Sequence, residues 1–336
     1  MLSIVIPNYN GRDVLPRFLP SVLEAARVDG DAEVVVVDDA SPDDSIDILE
    51  ADFPSVRLVA LEKNRGFSGA CLEGVREARG DIVILLNSDV RVAPDFIAPL
   101  REDMADESVF AVSATDQLIL RDGAPYELNW FGLRRGFLTV VRPLKQDLPP
   151  FETAYACGGS AAYRRSMFLQ LGGFDLLYEP FYWEDMDIGY AAWKRGWRSL
   201  VDPRSRIWHE HERGSIAKTH GMRKASRAYR RNKFLFSWKN LTSNSTLLLR
   251  HVVPLVLQVL TRWMILDFSF YCALGAALQR LPLALARRKA EKAAQVITDR
   301  RLLKHRFGDD LTTGAAPRRP PEKKPPGAAA GPRGLS

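Results

Sequence analysis

The sequence predicts an α/β fold: a mostly parallel sheet covered by helices. Three observations predict it. Short, unbroken apolar runs recur at residues 3–7, 34–37, 56–61 and 82–86, the pattern of strands buried on both faces. Stretches with apolar residues at helical spacing separate them, giving a βαβαβαβ alternation. Several runs end in Asn, Asp or Ser, and ligands of open α/β sheets bind outside the carboxyl ends of the strands. The order points to a sheet of the nucleotide-binding type.

The elements follow in sequence. Residues 3–7 form a buried strand that ends in a turn cluster, Pro7-Asn8-Tyr9-Asn10-Gly11. Residues 14–26 carry helical spacing. The second strand, 34–37, closes in Asp38-Asp39-Ala40-Ser41, where Ser41 as N-cap and Pro42 as first helical residue open a helix. After the third strand, the glycine loop Asn64-Arg65-Gly66-Phe67-Ser68-Gly69 leads into a helix through Ala78. The fourth run, 82–86, turns polar at Asn87-Ser88-Asp89. A helix from Pro94 to Met104 and a strand at 109–114 come next.

Residues 115–150 lack clear periodicity and read as a loop-rich insertion with a hairpin at 131–141. Order returns at 154–163, followed by a helix from Arg165 and the run Leu171-Gly172-Gly173-Phe174-Asp175. Trp183-Glu184-Asp185-Met186-Asp187 leads into a helix that reaches Lys194. Two short strands, 198–201 and 205–208, end at His209-Glu210-His211. We divide the chain into a catalytic domain at 1–220, with halves 1–114 and 151–215, a basic and apolar helical region at 221–305, and a disordered tail at 306–336 rich in Pro, Gly and Ala.

Composition is that of a globular protein: 336 residues, 46% hydrophobic and 26% charged. Cys71, Cys157 and Cys272 lie far apart without metal-ligand spacing, so a reducing compartment is expected. Met1 runs straight into a strand-like stretch, so no secretory leader is expected. The net charge of +6 is uneven, with the excess Lys and Arg beyond about Arg195. A basic C-terminal part calls for an anionic partner, lipid or nucleic acid. The region lacks the aromatic and glycine interleaving of RNA platforms, which argues against nucleic acid. Neither a dinucleotide fingerprint nor a Walker pattern is present.

Strand-end carboxylates and amides gather on one rim: Asn8 to Asn10, Asp38 with Asp39, and Asn87 to Asp89, joined by Glu184 and Asp185. Mg²⁺ and Mn²⁺ take oxygen ligands and often need one or two protein carboxylates when phosphate oxygens complete the shell. Asp89 is therefore read as the ligand of a divalent metal, Mn²⁺ or Mg²⁺, that holds a diphosphate. Plainer roles compete. Asp38 and Asp39 could open a helix, and Glu184 and Asp185 could answer a helix dipole. Adjacent carboxylates also raise each other's pKa, which suits a base near neutrality.

Together the motifs at 3–11, 37–41, 64–67, 87–89, 172–175 and 184–187 resemble the family 2 inverting glycosyltransferases, in a rhamnosyltransferase-like bacterial branch, over residues 1–215. The resemblance implies a GT-A type fold and transfer of a sugar from a UDP- or dTDP-sugar to a hydroxyl of a lipid-linked or envelope glycan. It implies that Asp39 binds the nucleotide base, with Pro7, Asn8 and Tyr9 as walls. Asn64, Gly66, Asn87 and Ser88 join the nucleotide site. Gly158, Gly159 and Trp183 face the donor or acceptor sugar. His209 joins Asp89 at the metal, with His211 as a rival. Asp185 is the base, with Glu184 beside it. The family's Asp-x-Asp is here Asn87-Ser88-Asp89, a departure at the first position. A sugar-nucleotide-binding protein without transfer activity is the alternative.

Residues 247–285 are strongly apolar but interrupted by Arg250, Arg262, Asp267 and Arg280, and divided by Pro254 and Pro282. We read them as helices lying in the inner leaflet, on the cytoplasmic side of a bacterial cell membrane. Trp263, Phe268, Phe270 and Tyr271 would sit at headgroup level, and Arg287, Arg288, Lys289 and Lys292 would be drawn to anionic lipid. The alternative is a helical subdomain packed on the catalytic domain.

Overall fold

The computed structural model describes residues 1–118, 128–144, 150–210, 221–242 and 245–305. His211 and the tail 306–336 lie outside them. In the first half, β1 (Leu2–Asn8), β2 (Ala32–Asp38), β3 (Arg57–Ala60) and β4 (Ile82–Leu86) alternate with α1 (Leu15–Asp29), α2 (Ser45–Asp52) and α3 (Gly66–Glu77). Next come β5 (Val90–Val92), α4 (Ile97–Asp103) and β6 (Val109–Asp116), then the hairpin β7 (Leu128–Arg134) and β8 (Phe137–Leu144). The second half carries β9 (Phe151–Glu152), β10 (Ser160–Arg164), α5 (Arg165–Leu171), α6 (Glu184–Lys194) and β11 (Arg198–His209).

The main sheet runs β3-β2-β1-β4-β10-β6-β11-β5, with β9 on β11. The nucleotide-side strands β3, β2, β1 and β4 are parallel, as their apolar runs predict. β10 enters antiparallel between β4 and β6. Successive strand side chains point to opposite faces, so each run feeds two cores. Ile4, Ile6, Val34, Val36 and Ile84 meet α1 on one face, while Val5, Val35, Val37, Val83 and Leu85 meet α3 on the other. Gly74 is where α3 comes closest to the sheet: a Cβ there would stand 2.3 Å from Val5 Cγ1.

Several expectations shift. The helix after β2 starts at Ser45, not at Ser41. Ser41 instead serves buried Asp38, whose carboxylate takes its N–H at 2.9 Å and its hydroxyl at 2.6 Å. A buried carboxylate needs donors, and short polar side chains supply them locally in competition with capping. The two strands read at 198–201 and 205–208 are one strand, β11, with a register shift between Val201 and Arg206. The short strand β5 went unread, because three residues carry no periodicity.

The C-terminal helices are α7 (Met222–Asn240), α8 (Ser245–Arg262), α9 (Phe268–Gln279), α10 (Leu281–Ala294) and α11 (Asp299–Leu302). A third core joins them to the catalytic half, with Trp130 and Phe131 of the hairpin, Trp183, Tyr190 and Trp193 around α6, Phe234 and Phe236 of α7, and Phe270, Ala273 and Ala277 of α9. Residue 221 is therefore not a packing boundary. Pro254 lies inside α8 without ending it, whereas Pro282 sits in the first turn of α10, where its missing N–H costs nothing. Among the described residues no single helix is long and apolar enough to cross a membrane; α9 and α10 together have the length and composition but bend by 63°.

Candidate active site

The rim at the carboxyl ends of β1, β2 and β4 gathers the polar residues. In register with Asp38, Asn8 donates from Nδ2 to Asp38 Oδ1 at 2.9 Å. Both are buried, so Asn8 holds the strand ends together and does not wall a pocket, as had been expected. Half-buried Pro7 and Tyr9, 52% exposed, remain as walls. The Asp39 N–H donates to Asn8 O at 2.9 Å, which turns its side chain toward the glycine loop. There Asp39 Oδ1 accepts the Arg65 N–H at 2.6 Å, and Asn64 Nδ2 donates to Asp39 O at 3.1 Å. Gly66 adopts φ +67°, a region that suits glycine, and its N–H reaches Asn64 Oδ1 at 3.1 Å. Asn64 and Gly66 thus act through Asp39. Burial pushes the Asp39 carboxyl up against the opposing pull of the Arg65 and Gly66 N–H groups.

The second cluster forms where β4 gives way to β5. The chain leaves β4 through Asn87, Ser88 and Asp89, and β5 pairs antiparallel with the end of β11, Val90 opposite His209. This register sets His209 Nε2 2.9 Å from Asp89 Oδ1. Asp116, at the end of β6, accepts the His209 N–H at 3.3 Å and so fixes its backbone. Nothing local marks Asp116; only the parallel pairing of β6 with β11 brings it here. A carboxylate oxygen and an imidazole nitrogen at this separation fit a divalent ion taking the place of the shared proton. Among the described residues no group of three or more His, Cys, Asp or Glu could hold a metal.

A pair of glycines joins this cluster to the third. The Asn87 N–H donates to Gly159 O at 2.9 Å, and a Cβ on Gly159 would stand 2.5 Å from the Asn87 side chain. The amide of Asn87 thus packs on the Gly159 backbone. Next to it, the Gly158 N–H donates to the carboxylate of Asp185. Asp185 Oδ1 also accepts the Met186 N–H at 2.7 Å, in the first turn of α6. Burial pushes Asp185 up to about 6 against those backbone donors. Burial, then the Asp185 charge, pushes Glu184 up to about 8. Both neighbours are thus raised by burial, and the Asp185 charge adds to the rise at Glu184.

Trp183, expected at a sugar, is fully buried. With φ at +81° as the residue before α6, its ring turns inward, 5.2 Å from the rings of Phe236 and Tyr229. The exposed aromatic is Tyr229 of α7, whose ring also lies 5.9 Å from Tyr182. Burial, then the Asp185 charge, pushes its phenol up. Its position on a basic helix beyond the motifs hid it from the sequence reading. The last motif acid, Asp187, is buried. It accepts from Tyr178 Oη at 2.7 Å, Asn240 Nδ2 at 2.7 Å and Lys239 Nζ at 2.5 Å.

The sequence model of glycosyl transferase family 2 matches residues 3–172, half of the chain. The chain belongs to that family. Its fold is GT-A. Mouse polypeptide N-acetylgalactosaminyltransferase 10 is 30% identical over 223 residues, 62% of this chain, which spans only 37% of that relative's length. The N-acetylglucosaminyl-diphospho-decaprenol L-rhamnosyltransferase of Mycobacterium tuberculosis is 27% identical over 249 residues, covering 66% of this chain and 80% of the relative. A mannosyltransferase from Pyrobaculum calidifontis, solved with GDP-Man and Mn²⁺, superposes at a TM-score of 0.52 with 19% identity, covering 88% of this chain and 83% of that one. In this family member Asn87, Asp89, Gly158, Gly159, Asp185 and His209 form one connected cluster.

Proposed function

We propose that the protein transfers a sugar from a nucleoside-diphosphate donor, a UDP- or dTDP-sugar with rhamnose among the candidates, to a hydroxyl of a lipid-linked or envelope glycan, with inversion at the anomeric carbon. The observation that carries this reading is the glycine bridge: Gly158 holds Asp185, while Gly159 abuts Asn87 two residues from Asp89. It couples a carboxylate poised as a base to the one that would meet the diphosphate. Asp39, held by the Asn64-to-Gly66 loop, receives the base of the nucleotide, with Tyr9 and Pro7 alongside. Asp185 accepts the proton of the attacking hydroxyl, and burial raises its carboxyl toward neutrality as a base requires. A divalent ion held by Asp89 and His209 would offset the charge growing on the leaving diphosphate. Tyr229 offers an aromatic face to the acceptor. The Mn²⁺-bearing structural neighbour and the rhamnosyltransferase relative support this assignment of roles.

The test is a donor panel offered to the full chain with Mn²⁺ or Mg²⁺ and a polyprenyl-diphosphate-sugar acceptor, read by product mass. A glycosylated acceptor with an inverted linkage is the expected outcome. Donor binding without transfer or hydrolysis across the panel would leave the protein a sugar-nucleotide binder.

A further inference from the structure

The helix α8 and the turn after it turn an apolar ridge outward. Val253, Leu257 and Leu260 recur at helical spacing, and Trp263, Ile265 and Phe268 continue them around the turn; all six are 56% to 68% exposed. Soluble surfaces rarely leave such a contiguous patch without a partner. The ridge is not a frayed helix. Its inner side is tied down by His251, whose Nδ1 lies 2.7 Å from Gly136 O and whose Nε2 accepts the Trp238 indole N–H at 3.0 Å. Tyr271 Oη donates to Val259 O at 2.6 Å, and Gln258 Nε2 to Arg135 O at 3.2 Å. The turn is fixed in the same way. Asp267 accepts from Arg230 at 2.9 Å, from Arg262 at 2.7 Å and from the Phe270 N–H at 3.2 Å.

The surroundings of the ridge are cationic. From Gly221 to Leu266 the chain has nine Lys and Arg and no Asp or Glu. The hairpin turn adds exposed Arg134 and Arg135 beside α8. Lys233 feels this directly: burial, then the charges of Arg134, Arg135 and Arg262, pull its ammonium pKa down. The bent pair of α9 and α10 plays a different part. Its Phe270, Ala273, Ala277 and Ala284 are buried in the third core, while Leu278, Leu283 and Leu285 stay about half exposed.

We infer that the α8 ridge, from Leu249 to Phe268, docks in the surface of an anionic lipid bilayer, with Arg134, Arg135 and Arg250 on its headgroups. An apolar ridge flanked by the exposed Arg134, Arg135 and Arg250 matches a surface that is oily inside and negative outside. A second copy of the chain fits less well, because a two-fold contact would set the same cations against each other. Arg230 holds the turn through Asp267, and the ring of its neighbour Tyr229 lies 5.2 Å from that of Trp183, the residue before α6, so docking would bring the start of α6 toward the lipid surface. The inference is independent of the transfer reading, since vesicle binding is measured without any sugar.

The experiment is sedimentation of the full chain with phosphatidylcholine vesicles, with and without phosphatidylglycerol. Binding is expected with the anionic vesicles and should weaken with salt. A blue shift of tryptophan emission should accompany it and be lost in Trp263→Phe. Leu257→Asp should weaken binding at least about tenfold while leaving nucleotide binding by calorimetry unchanged. Arg134→Ser with Arg135→Ser should weaken it about 30-fold and flatten the salt dependence. No binding to anionic vesicles, or equal binding by Leu257→Asp, overturns the inference. So does a soluble dimer that Leu257→Asp splits, which would make a second copy the occupant.

Discussion

Nε2 of His209 stands 2.9 Å from Oδ1 of Asp89, where the short edge strand β5 meets the end of β11. With Asn at 87, these are the two donors that the described residues bring together at the end of β4. Metal affinity should therefore be weak in the free protein and rise sharply when a nucleoside diphosphate is present. Titration calorimetry with Mn²⁺, with and without UDP, checks this. Asp89→Asn should abolish the enhancement. Tight metal binding without nucleotide would contradict it.

The raised pKa of Asp185 sets a pH dependence. The carboxylate is the active form, so kcat/KM should rise with pH through about 6 and then level off. An unshifted aspartate would place that limb near about 4. Asp185→Asn should lower kcat by roughly 10²–10⁴-fold with donor affinity retained. Glu184→Gln, which keeps the shape and removes a carboxyl beside the base, should keep most turnover. A pH profile flat from 4 to 8 in the parent enzyme would remove Asp185 from its role.

Tyr229 is 45% exposed and its ring lies 5.2 Å from that of Trp183, so one face is open to a sugar. Tyr229→Ala should raise the acceptor KM by up to roughly tenfold, the scale of one aromatic contact. The donor KM should stay put, and Tyr229→Phe should restore the acceptor KM. Equal effects on both substrates would instead mark Tyr229 as a support of the fold.

Lys239 is buried between Asp187 at 2.5 Å and Asp175 at 2.8 Å. Burial works against its ammonium, and the two carboxylates outweigh that cost and hold its pKa up. Removing the cation strands two buried charges, so Lys239→Met should destabilise the fold by about 3–5 kcal/mol in urea unfolding. The Lys239→Met, Asp187→Asn pair should recover part of that loss. No change in the urea midpoint for Lys239→Met would mean the cluster is solvated.

Gly74 tests the sheet packing. Gly74→Ala pushes a methyl onto Val5 and Val37, and overpacking of this kind should cost about 1–3 kcal/mol. A helix-propensity gain alone would make the same change stabilising, so the sign of the shift in Tm decides between them.

The sequence by itself determined β1, β2 and β4 and the motifs at their ends. Strands buried on both faces must be apolar throughout, and the residues that follow them at the rim must be polar, so both signals are local. The pairing of Glu184 with Asp185 was legible for the same reason. The tertiary structure alone decided which of these residues meet. Asp89 reaches His209 because β5 pairs with the end of β11, and Asp185 reaches Asn87 through Gly158 and Gly159. It also turned Trp183 inward, left Tyr229 partly exposed beside it, gave Asp187 to Lys239, and turned an apolar ridge of α8 outward while burying Phe270, Ala273 and Ala277 of α9. Local periodicity records that a segment has an apolar face. It does not record what that face meets, because contacts between residues far apart in the chain depend on strand order and register, which no short window of sequence contains.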